Sequence, residues 1–75
     1  MNKVRRENLR KALGMLRSSL SIVEDSRDEE DTCLSNIPEN LADSERAVGM
    51  EDAVDALSAA SSCISEAIER IEEVI

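Results

Sequence analysis

Aromatic residues are absent from this 75-residue chain, and so is histidine. Without Phe, Tyr or Trp, a core lacks the side chains that bury most area apiece. Without histidine there is no ready general base near neutral pH and no Ser-His or Cys-His pair. The two glycines are isolated, so no Gly-rich phosphate loop can form. No apolar run approaches about 18 residues, which excludes a membrane-spanning helix. The basic start is not followed by an apolar stretch, so no signal peptide is expected, and the expected location is the cytoplasm. The chain is too short for a β-sandwich, a barrel or a doubly wound sheet.

Metal ligands are equally scarce. Cys33 and Cys63 are far apart and form no CxxC; they read as small, semi-buried free thiols. Helical di-metal sites use Glu-x-x-His, which this chain cannot supply. A metal site would have to be all-carboxylate. Glu69, Glu72 and Glu73 form a small acidic group, but arginines are expected to face them. Paired carboxylates for hydrolysis need an enclosing pocket, which a thin bundle lacks. The expectation is no enzyme, no cofactor and no metal. A carboxylate-based metal-binding or hydrolytic bundle stands last among the readings.

What is present is charge, and it is unevenly placed. The chain carries 17 acidic and 9 basic residues, a net charge of -8. Residues 24–55 hold twelve acidic and two basic side chains. Asp25, Asp28, Glu29 and Asp31 lie before the proline; Asp43, Glu45, Asp52 and Asp55 lie after it. This acidic block is a candidate interaction surface for a basic protein. It argues against direct nucleic-acid binding.

The apolar residues follow two regular rows. The first is Leu9, Leu13, Leu16, Leu20, Val23, Arg27, Glu30, Leu34 and Ile37, with alternating steps of 4 and 3. The second is Ala47, Met50, Val54, Leu57, Ser61, Ile64, Ile68, Ile71 and Ile75, flanked by Ala53, Ala60 and Ala67. A sustained 3.5-residue period is the mark of helices that pack with a left-handed twist. Pro38 forbids one continuous rod, because it lacks a donor and clashes with the preceding turn. Asn36 is expected to cap a new helical turn, with Glu39 in the capping-box position and Pro38 in the first turn. Asp43 or Ser44 offers a second start. The spacing predicts one domain over 1–75: helix 3–34, turn 35–44, helix 45–74.

The fold class read from this is all-α, an antiparallel two-helix hairpin of coiled-coil type. If the turn centres near residue 39, Val23 faces Val54, Leu20 faces Leu57, Leu13 faces Ile64 and Leu9 faces Ile68. Arg27 then falls beside Glu51 and Asp52, and Glu30 near Arg46. Such pairs would hold the register, because a slip would bury an unpaired charge. Arg6 and Arg10 approach Glu69, Glu72 and Glu73. A hairpin this small leaves much of both helices wet. A homodimer forming a four-helix bundle is the expected remedy. Ile22, Leu41, Val48, Val4 and Val74 lie off the main rows and are candidates for that contact.

Residues Asn36-Ile37-Pro38-Glu39-Asn40-Leu41 and Ser44 spell N-x-P-E-N-L-x-x-S. This resembles a family of small uncharacterised helical proteins of Gram-positive bacteria and their phages. There the motif links a charged first helix to one with E-x-A-x-x-x-L patterns, and Glu51–Leu57 fits the second part. Family members often carry an aromatic residue at Val48 or its neighbour, which this chain lacks. The resemblance implies a cytoplasmic or phage-borne protein and no catalytic residue. The leading expectation is therefore a self-associating protein–protein interaction or accessory module. The alternative is an acidic decoy or inhibitor of a basic nucleic-acid-binding protein.

Overall fold

A computed structural model describes all residues, Met1–Ile75. Two helices run side by side: α1 over Lys3–Ser35 and α2 over Glu45–Glu72. A short 3-10 turn, Glu39–Leu41, lies between them. The hairpin is long and thin, 59 × 14 × 13 Å. No strand is present.

Each helix begins where its sequence offers a cap. Asn2 Oδ1 accepts the Arg5 amide at 2.8 Å, and Ser44 Oγ accepts the Ala47 amide at 3.2 Å. These contacts satisfy donors that have no partner within the first turn. At the far end of α1, Asn36 closes the helix rather than opening a new turn. Its amide donates to the Thr32 and Cys33 carbonyls at 3.2 and 3.3 Å. The expected capping box with Glu39 therefore does not form. Pro38 takes an extended conformation, φ -56° and ψ 144°, and its carbonyl accepts the Leu41 amide at 2.8 Å. An extended proline cannot sit in a first helical turn, so the 3-10 turn starts after it. Helix α2 ends at Glu72, two residues short of the expected 74.

Both apolar rows are sheltered along their whole length. Every member, including Arg27 and Glu30, is buried or half-buried. Full burial is rarer: only Leu13, Ala47, Ser61 and Ile68 reach it. Ala53, Ala60 and Ala67 are half-buried beside the second row. Two helices cover one seam, but nothing covers its outer edges.

The register differs from the expected one. The guanidinium of Arg17 meets Glu72 at 3.6 Å across the helices. Leu13 shares a groove with Ile75, Arg27 one with Ser58 and Ser61, and Cys33 one with Met50. The numbers in these pairs total 83 to 89, above the 77 of the expected pairs; with the two rows facing, that fits a total of 84, a slide of one heptad. Carried along both rows, this sets Leu20 level with Ile64, not Leu57. Leu13 stands level with Ile71, Leu9 with Ile75, and Val23 with Ser61. The turn itself spans residues 36–44, close to the expected 35–44, so the facing residues are not centred on it.

Candidate interaction surfaces

The slide in register decides which charges meet. Arg27 stands level with Leu57 and not with an acid. Its side chain is 28% exposed and turns to its own neighbour, with Nη2 3.0 Å from Asp28 Oδ1 and Nε 3.1 Å from the same oxygen. The expected pairs of Arg27 with Glu51 or Asp52, and of Glu30 with Arg46, do not form. Glu30 stands level with Val54, and Arg46 lines a groove by the turn with Cys33, Ile37 and Met50. The one ion pair between the helices is Arg17–Glu72.

The open end shows a similar exchange. Arg6 and Arg10 form no ion pair; Arg17 makes the cross-helix contact to Glu72. Arg70 engages Glu66 at 3.9 Å and Glu73 at 3.3 Å within α2. Arg10 lines the small groove with Leu13, Glu72 and Ile75 without closing on the carboxylate.

These contacts define one side of the hairpin. A polar groove runs along it, lined by Glu24 and Arg27 from α1 and by Ser58, Ser62 and Ser65 from α2. Ser61 lies at its floor, in the seam itself. Its hydroxyl donates to the Leu57 carbonyl at 3.0 Å, so a polar atom is buried without needing a partner on the other helix. Ser62 does the same to Ser58 at 3.2 Å.

The eight candidate residues of the acidic block are all exposed, whereas Glu24 and Glu30 of the same stretch are half-buried. Asp25, Asp28, Glu29 and Asp31 stand on the last turns of α1; Asp52 and Asp55 stand on α2. Asp43 and Glu45 stand at the entry to α2. Among them only Asp28 is in an ion pair. They are spread around the hairpin, and no group of three or more acids or thiols converges as a metal-ligand set. No helix is long and apolar enough to cross a membrane. Asn36, Pro38 and Glu39 shape the turn, and none of them lines a site with converging polar groups.

Apolar side chains left in water complete the picture. Ile22, Leu41, Val48, Val4 and Val74 are exposed as expected, and Met15 joins them at 70%. Sequence reading missed Met15; its signal was a position one heptad before Ile22 on the same outer line. Both cysteines are free and exposed, not semi-buried.

Compared with protein-family models, curated proteins and solved structures, the chain has no match.

Proposed function

We propose that this protein is a non-enzymatic interaction module that works as a homodimer of hairpins, a four-helix bundle. The observation that carries this reading is the balance of surface. A compact monomer of 8.3 kDa exposes about 4,600 Å². This hairpin exposes 5497 Å². The surplus, about 900 Å², is close to the roughly 800 Å² that each partner hides in a standard interface. Two half-covered helices with four buried residues need a further layer. The location that suits such a module is the cytoplasm, where its free thiols stay reduced.

Sedimentation equilibrium over a range of concentrations tests the reading. A mass of twice 8.3 kDa supports it. A fully helical species of one chain's mass at all concentrations overturns it.

The acidic block favours a second reading, docking onto a basic protein surface. Its support is that seven of its eight carboxylates are exposed with no ion-pair partner. A basic protein retained by the immobilised chain at low salt and released at high salt supports docking, because exposed charges are screened within about 8 Å at physiological ionic strength.

A further inference from the structure

The two sheltered rows are not the only ones spaced for helix packing. One position round α1 from the seam lie Ala12, Met15, Ser19, Ile22 and Ser26, at steps of 3, 4, 3 and 4. One position round α2 lie Gly49, Ala53, Ala56, Ala60, Cys63 and Ala67, at steps of 4, 3, 4, 3 and 4. Between these bounds neither row contains a charge, although 35% of the chain is charged; the next positions at the same spacing are Glu29 on α1 and Arg46 and Arg70 on α2.

Both rows lie on one side of the hairpin. Antiparallel helices are related by a half-turn about an axis across the pair, so corresponding flanks sit together. The Arg17–Glu72 pair and the groove of Glu24, Arg27, Ser58 and Ser62 mark one pair of flanks. The uncharged rows are the other pair. In the register above they run side by side over residues 17–26 and 58–67, about 14 Å at 1.5 Å per residue, and the α2 row reaches about 14 Å further toward the turn.

This face is uneven in a useful way. On α1 it carries two large side chains, Met15 at 70% and Ile22 at 66% exposure. On α2 every side chain is small, and a Cβ added at Gly49 would meet nothing within 4 Å. One helix offers knobs and the other a gutter.

We propose that this uncharged face is the contact between two copies of the chain. Met15 and Ile22 of each copy seat in the Ala53–Ala67 gutter of the other, about a twofold axis. The inference rests on the homodimer reading above and adds the face that does the work. A twofold contact uses the same patch twice, so a patch holding both knobs and gutter is completed by its own copy. Charge points the same way. Copies with a net charge of -8 repel, and this face brings two of them together without setting carboxylate against carboxylate. A basic partner finds its complement on the acidic residues, which lie outside these rows. Small side chains in the gutter let helix axes approach to about 8 Å, which native packing density requires.

The test compares charged substitutions on the two sides. Met15→Glu with Ile22→Glu, and separately Ala56→Glu, place carboxylates on the proposed contact. Val48→Glu places one on an exposed apolar residue outside both rows. All these positions are exposed in the hairpin, so far-UV circular dichroism at high concentration should show helicity retained. Dissociation constants from sedimentation should weaken by about a hundredfold for the first two variants and by less than about threefold for Val48→Glu. Labelling of Cys63 in a Cys33→Ser background gives an independent readout: alkylation should slow by about tenfold between dilute and dimeric protein. A dimer that survives Met15→Glu with Ile22→Glu, or that Val48→Glu disrupts equally, overturns the choice of face while leaving the homodimer intact. A wild-type chain that stays monomeric overturns both.

Discussion

Replacing Arg27 with leucine should stabilise the hairpin. Arg27 occupies a seam position level with Leu57, yet its guanidinium leaves the seam to bind Asp28 on the same helix. Its side chain is 28% exposed. A leucine there would be mostly buried, and full burial of a leucine is worth about 1.5–3 kcal/mol. Scaling for the uncovered part leaves about 1–2 kcal/mol. Against this stand the Arg27–Asp28 pair, worth about 0–1 kcal/mol at a partly exposed site, and the packing of the arginine stem. The net gain is about 0.5–1.5 kcal/mol. For a domain of this size that raises the melting temperature by about 3–10 °C. Thermal unfolding followed by circular dichroism reads it directly. Wild type and variant must be compared at one protein concentration, because association shifts apparent stability. A drop of more than about 1 kcal/mol would refute the reasoning, since it would mean that Arg27 holds a cross-helix acid after all. A double-mutant cycle of Arg27 with Glu51 sharpens the point: the coupling should be near zero.

Other substitutions probe other parts of the same account. Leu13 is 2% exposed, and Leu13→Ala should cost about 2–5 kcal/mol, seen as a large fall in the urea midpoint. Ser44→Ala removes the cap on α2 and should cost about 1 kcal/mol in the same titration. Gly14→Ala and Gly49→Ala lie in helix interiors with open space around the new methyl, and each should gain about 0.5–1 kcal/mol. A loss at Gly49 alone, growing with protein concentration, would show that a second chain packs hard against that spot.

The helices and their buried faces were legible because a 3.5-residue period is a direct image of the seam. All eighteen row positions are sheltered, even the two charged ones. Register was not legible from the rows, and the reason is physical. A heptad pattern maps onto itself after a slide of seven residues, so the layers match as well at one offset as at the next. Only the path of the connection breaks the tie. That path depends on Asn36 ending α1 and on Pro38 remaining extended, details of backbone geometry that residue types alone leave open. The misplaced ion pairs followed from the misjudged register: with Arg27 level with Leu57, its only acidic partner is Asp28 of its own helix. The second rows show in the sequence only as gaps in the charge pattern, because their large members, Met15 and Ile22, stand a heptad apart among small residues.

A seam that repeats every seven residues has a further consequence for how such a protein can change. Length can be added or removed in matched heptads from both arms without redesigning a single layer, provided the nine-residue link keeps its geometry. Alter that link instead, and the arms are free to settle one notch along. The link between the arms, more than any pair of side chains in the seam, therefore acts as the ruler of the molecule.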